Sequence, residues 1–229
     1  MNYESIDEKI LDVYKECNIK SFPLDVKTII KQYKLSCYSY SCQDQKFKEF
    51  CFKMSDDAFS WEGLILYNDE IHTNRQTFSL AHELGHYILG HAIKRSSTEE
   101  QEANYFASHI LAPRMAVHYS RCKNHVHVSR LFNISLEAAE IAFDDYRRWH
   151  RKVVYKMNGF DKNMYAHFYN ENIKGFAYSI KKCKLCGKEL INDKSDYCDH
   201  CFNRLSYIDH IKNDKYYHAA ENNWLYGGL

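Results

Sequence analysis

The stretch FSLAHELGHYILGH, Phe78 to His91, sets three histidines, one glutamate and two glycines, Gly85 and Gly90, into an otherwise apolar helical pattern. Phe78, Ala81, Leu84 and Ile88 recur at helical spacing and supply an anchoring face. Within the stretch, His82-Glu83-Leu84-Gly85-His86 is an HExxH pattern. Residues four apart lie nearly above one another on a helix, so His82 and His86 can offer two imidazole nitrogens to one ion. Glu83 sits about a third of a turn away. From there it can contact a metal-bound water rather than the metal, which is where a general base belongs. The bland alternative is a set of surface or core histidines with ordinary partners, and the following segment weighs against it.

A catalytic zinc needs a third protein ligand and an open position for water. The candidates lie in SSTEEQEANYFASHILAP, Ser96 to Pro113, whose buried stripe reads Ala103, Phe106, Ala107, Ile110 and Leu111. Helical geometry places Glu99 and Glu100 at the edges of that stripe and turns Glu102 away. Ser96-x-x-Glu99 and Ser97-x-x-Glu100 both match a capping box, and only one can cap this helix start, which leaves the other glutamate free for metal. Asn104, four residues after Glu100, can accept a hydrogen bond from a ligand histidine's second nitrogen, and this favours Glu100.

Outward from these two helices, the chain is 229 residues long, enough for one main core and a small appendage. No apolar run approaches the roughly 18 residues of a membrane helix, and Met1 to Ile10 lacks a basic segment followed by an apolar one. The expectation is a cytoplasmic protein without membrane contact. The net charge of +1 hides a polarity. Residues 51–146 hold 8 Lys and Arg against 13 Asp and Glu, whereas residues 147–184 hold 10 against 2. Such a basic segment is either a solvated face or a surface for nucleic acid or an acidic partner.

Periodicity predicts helices opening with Ile6, Ile10, Val13, Tyr14 and Cys17, then after Pro23 with Ile29, Ile30 and Tyr33 inward. LSCYSYS, EFCFKMS and GLILYN, between Leu35 and Thr73, read as strands of a small sheet. Helices are predicted over Gln76–Gly90, Thr98–Leu111, Val117–Phe132 and Ser135–Trp149. This order defines an α+β domain over residues 1–150. A basic aromatic linker or extension over 151–182, a cysteine module over 183–204 and a C-terminal tail over 205–229 complete the predicted organisation.

RQTFSLAHELGHYILGH followed by EQEANYFASHILAP resembles the ImmA/IrrE family of zinc metalloendopeptidases, in which HExxH is followed by E-x-x-A-N-x-F-A-x-x-L-L-x-P. FPLDVKTIIKQYKL and SRLFNISLEAAEIAF resemble the family's flanking helices, so the likeness spans about residues 5–149. Ile110 and Ala112 replace the more usual Leu and Met. The resemblance implies a zincin-like core with His82, His86 and Glu100 as zinc ligands and Glu83 as catalytic base. It also implies an anti-repressor, which cleaves a helix-turn-helix transcriptional repressor and so derepresses a prophage or integrative element. His91, Tyr87 and His109 are candidate oxyanion donors, though packing explains them equally well.

Nine cysteines is an odd number, and four of them form Cys183-x-x-Cys186 and Cys198-x-x-Cys201. Two such pairs separated by 11 residues predict a structural Zn(Cys)₄ ribbon, closed to chemistry by its four thiolates. Cys17, Cys37, Cys42, Cys51 and Cys122 lack ligand spacing and are expected to act as small apolar residues. HVSRLFNISLEAAEIAF also reads as helix-turn-helix, yet Glu137, Glu140, Asp144 and Asp145 on its second helix oppose entry into a phosphate-lined groove. The sequence therefore predicts a two-zinc endopeptidase acting on a repressor. Its rivals are a repressor-binding protein that does not hydrolyse, and a DNA-binding regulator built on the ribbon and basic segment.

Overall fold

The computed structural model describes residues 2–92, 95–153 and 157–205. Apart from Leu205, the C-terminal tail predicted over 205–229 lies outside the described residues. The chain divides into two compact units, Met1–Tyr178 and Ser179–Leu229.

Unit 1 opens with α1 (Tyr3–Glu16) and α2 (Val26–Gln32), capped by the Asn2 and Asp25 side chains. Ile6, Ile10, Leu11, Val13 and Tyr14 of α1 and Ile29 and Ile30 of α2 are buried, as the apolar spacing predicts. Three short strands follow, β1 (Ser36–Ser39), β2 (Ala58–Trp61) and β3 (Leu64–Tyr67), in the spatial order β1-β3-β2. β1 runs parallel to β3 with Ser36 opposite Leu64, and β2 runs antiparallel with Trp61 opposite Leu64. β2 is therefore an edge strand, and the long helix α4 (Thr73–Leu89) packs against it and against β3.

EFCFKMS, expected as a strand, instead lies in helix α3 (Gln45–Met54). The Asp44 carboxylate accepts from the backbone N–H groups of Lys46 and Phe47 at 3.0 and 3.1 Å and starts the helix. Cys51 is then buried with Phe47 one turn before it, against Tyr40, Phe59 and Leu66. Phe50, Phe52 and Met54 alternate as in a strand, yet the Asp44 cap starts a helix that carries them around its surface. The remaining strand comes from AFSW instead.

After α4 come α5 (Ser97–Leu111), α6 (Arg114–Tyr119), α7 (His125–Phe132) and α8 (Leu136–Val153). The single helix expected over Val117–Phe132 is thus two. Arg121 adopts a left-handed φ of 53°, and the Asn124 side chain accepts from His127 N–H at 3.0 Å to begin the second. Between α7 and α8, Asn133 is left-handed and the Ser135 hydroxyl accepts from Ala138 N–H at 3.1 Å, so a helix-turn-helix corner does form. The α9 helix (Gly159–His167) and the β4–β5 hairpin (Tyr169–Asn170, Gly175–Phe176) belong to unit 1. Met164, Phe168 and Phe176 are buried in its core, which folds much of the basic aromatic segment into the domain.

In unit 2, β6 (Ile180–Lys182) pairs antiparallel with β7 (Glu189–Ile191), and the turn between them begins with Cys183. Gly187, at a φ of 72°, donates its N–H to Cys183 O at 3.0 Å and closes the first knuckle.

Candidate metal centres

The α4 and α5 helices are the pair that builds the site, and a glycine lets them do so. A Cβ on Gly85 would stand 2.9 Å from the Phe106 ring, so only glycine permits the two helices to approach this closely. At the C-terminal end of α4, Gly90 takes a left-handed φ of 73° and turns the chain back. At the start of α5, Ser96 and Glu99 form the capping box, which leaves Glu100 uncommitted to the helix end.

His82, His86 and Glu100 converge. The two Nε2 atoms lie 3.0 Å apart, with Glu100 Oε2 3.2 Å from His82 Nε2 and Glu100 Oε1 3.6 Å from His86 Nε2. Two nitrogens bound to one tetrahedral zinc at ordinary bond lengths stand about 3.3 Å apart, close to this spacing. One donor atom from each of the three residues falls within a common 4.8 Å. His82 donates its Nδ1–H to Asn104 Oδ1 at 3.0 Å, which leaves the Nε2 lone pair facing the cluster. Burial first, then the nearby Arg95, His82 and His91, push His86 down to about pKa 3, so its imidazole is neutral and available as a donor. Both the donor chemistry and the spacing fit a divalent ion.

Glu83 is almost fully buried beside this cluster. Both of its carboxylate oxygens accept from the Arg95 guanidinium, at 3.2 Å from Nη1 and 2.7 Å from Nη2. Nη2 also donates to Ser60 Oγ of β2 at 2.7 Å, and Nη1 stands 4.0 Å from Glu100 Oε1. Arg95 escaped the sequence reading because a lone arginine in a loop carries no periodic signal. His91 and Glu102 also have places here that the sequence did not give them. His91 Nδ1 lies 2.8 Å from His86 Nδ1, and His91 Nε2 lies 3.3 Å from Glu102 Oε2. Glu102, expected to turn away, points at His91 because Gly90 returns the chain across the face of α5. The other oxyanion candidates are placed elsewhere. Tyr87 is half exposed against Tyr33, and His109 is engaged by Asp145 at 3.0 Å.

The cysteine cluster of unit 2 brings together Cys183, Cys186, Cys198 and Cys201, one sulfur each within 4.8 Å of the others. Hydrogen bonds from the backbone N–H groups of Cys186 and Cys198 lower Cys183 to about pKa 6, even though burial opposes this. Its neighbours in the cluster, Cys186 foremost, push Cys201 up to about 12. Four sulfurs this close cannot all ionise unless a cation supplies the opposing charge, which suits a tetrahedral ion. Of the five remaining cysteines, Cys51 is buried and Cys42 exposed. Unlike the other four, Cys42 does not fit the expected apolar role.

Two imidazoles one turn apart on a helix, a carboxylate beside the first and a third donor from the next helix define the site of a metallopeptidase-family protein. The chain belongs to the Peptidase_M78 family, whose IrrE N-terminal-like domain matches residues 25–144. That span contains every residue of the histidine cluster and ends before the four-cysteine cluster of unit 2. No curated protein is significantly similar to the chain. Among the described residues, no helix is long and apolar enough to cross a membrane.

Proposed function

We propose that this protein is a cytoplasmic zinc endopeptidase that cleaves a helix-turn-helix transcriptional repressor, with a catalytic zinc on His82, His86 and Glu100 and a structural zinc on the four cysteines. The observation that carries the catalytic reading is the convergence of the two Nε2 atoms and the Glu100 carboxylate beside a buried Glu83. When bound, zinc supplies a Lewis acid that acidifies a water and polarises the scissile carbonyl. The chain supplies the rest. Asn104 fixes the tautomer of His82. Glu83, once Arg95 withdraws from at least one of its oxygens, takes the proton of the attacking water and returns it to the leaving amine. A peptide substrate is favoured by the edge of the sheet beside Glu83. The β2 edge strand is joined to Glu83 through Ser60 and Arg95 and, among the described residues, has only β3 beside it in its sheet, so its other edge can take up an extended chain. The repressor as substrate rests on the resemblance to ImmA/IrrE proteins.

Co-expression with helix-turn-helix repressors, any encoded in neighbouring genes first, followed by mass spectrometry, tests this reading. Cleavage by the wild type that Glu83→Gln abolishes, lowering the rate about 10²–10⁴-fold or more while zinc is retained, is the expected result. An intact repressor argues against it. One observation favours a second reading, capture of the repressor without hydrolysis: Arg95 occupies both oxygens of Glu83. Undiminished derepression by Glu83→Gln would select that reading. DNA binding through the ribbon and the basic segment would instead show affinity falling steeply with salt. The exposed Glu137, Glu140 and Asp144 on α8 weigh against it.

A further inference from the structure

The Gly90 turn has a consequence for the metal site that HExxH does not contain. His91 N–H donates to His86 O at 2.9 Å, closing the helix end so that the two imidazoles meet with ring centroids 5.0 Å apart. The His91 side chain is nearly buried, and behind it stands Glu102 of α5. Glu102 as a carboxylate only accepts hydrogen bonds, so His91 must carry its proton on Nε2 to satisfy the 3.3 Å contact. In neutral His91 the Nδ1 is then an acceptor. The 2.8 Å contact between the two Nδ1 atoms in turn requires His86 to be the donor there. The proton of His86 is thereby committed to Nδ1, and its lone pair to Nε2, the atom that faces His82 and Glu100. A ligand histidine whose far nitrogen is held by an acceptor is better oriented and more basic toward its ion.

We infer that His91 and Glu102 are positioning residues for the metal site: a two-bond relay by which a carboxylate on α5 sets the tautomer and ring orientation of His86. The inference rests on the reading of His86 as a zinc ligand. The relay acts on the protein's hold on its ion, whatever its substrate proves to be. It complements Asn104, which does the same for His82 in one step, so both histidines of α4 are oriented from α5. The carboxylate matters as well as the size of the residue. Glutamine at 102 can rotate its amide to donate to His91 Nε2, which permits the opposite tautomers along the relay and turns the His86 lone pair away from the ion.

The test measures zinc affinity of the full chain by chelator competition, with the absorption spectrum of the cobalt-loaded protein as a second readout. In that spectrum, nitrogen and oxygen ligation separates from the thiolate bands of the cysteine site. Glu102→Gln and His91→Phe should each weaken zinc at the histidine site about 10–100-fold and shift its cobalt bands, leaving the thiolate bands alone. Because the two act in series, the double variant should bind no more weakly than His91→Phe by itself. Melting of the metal-free proteins guards against a folding defect, and should His91→Phe fail to fold, the nearly isosteric Glu102→Gln carries the test. Unchanged affinity and bands in Glu102→Gln, or losses that add in the double variant, would overturn the relay. His86→Ala distinguishes the underlying reading: if wild type and this variant bind zinc in the same ratio, His86 is no ligand and both proposals fall, whereas zinc lost in His86→Ala but unchanged in Glu102→Gln overturns the relay alone.

Discussion

Arg95 is the residue whose charge is least expected at a hydrolytic site, since it faces two carboxylates, Glu83 at 2.7 Å and Glu100 at 4.0 Å. Without a metal its guanidinium offsets both charges. Removing one partner of a buried pair leaves an uncompensated charge and costs about 3–5 kcal/mol, with the lower end appropriate here because the arginine is partly exposed. Arg95→Gln should therefore lower the melting temperature of the metal-free protein, and zinc should raise it by a larger increment than in the wild type. Melting with and without zinc checks this, and an equal increment would mean that Arg95 does not compensate the site. Helical spacing made legible that His82 and His86 share a face of one helix and Glu100 and Asn104 a side of the next, while the choice of Glu100 over Glu99 drew on the capping box and the family resemblance. Arg95, His91 and Glu102 were not legible, because their partners are set by how a loop folds back between two helices.

At the level of the elements, two glycines of one helix are required for different reasons. Gly85→Ala would place a methyl group 2.9 Å from Phe106, an overpacking that costs about 1–3 kcal/mol and pushes α5 away from α4. Gly90→Ala meets no atom within 4 Å, and its cost of about 1–2 kcal/mol arises from the left-handed φ of 73°. Urea denaturation separates the two: Phe106→Leu should recover much of the loss in Gly85→Ala and none of that in Gly90→Ala. A second tie between elements sets a pH dependence. Asp145 of α8 is pushed up by burial, but hydrogen bonds from His109 and Arg114 prevail and hold its carboxyl well below the usual 3.8. A depressed carboxylate contributes stability that is fully present above the unfolded value and is lost as pH falls toward the folded one. Asp145→Asn should therefore destabilise the protein at pH 6 and converge with the wild type as pH drops below about 4. A constant difference across that range would remove Asp145 from the acid transition. The helix α3 and the α6–α7 break were missed at this scale, although Asp44 and Asn124 were readable caps. Short aromatic runs fit both periods, and a cap decides between them.

The whole molecule joins two units stabilised by different means. Unit 1 has a continuous aliphatic and aromatic core, whereas among the described residues of unit 2 the buried set is Cys183, Leu190, Cys198 and Cys201. One buried leucine contributes about 1.5–3 kcal/mol, far less than the ordering of some twenty residues costs. The proposed tetrahedral zinc would add about 10–16 kcal/mol to this small core. A strong chelator should therefore abolish amide protection across residues 180–201 while leaving α1 and α5 protected, as hydrogen exchange would show. Protection that survives complete zinc removal would refute a metal-dependent ribbon. The sequence by itself determined the paired helices, the HExxH and Cys-x-x-Cys spacings and the family resemblance, because helical periodicity and short residue spacings are local properties. The tertiary structure alone decided that Arg95 grips Glu83, that Glu102 reaches His86 through His91, and that residues 159–178 join the main core. Those pairings depend on the approach of separate segments, and no local pattern encodes which side chains then meet.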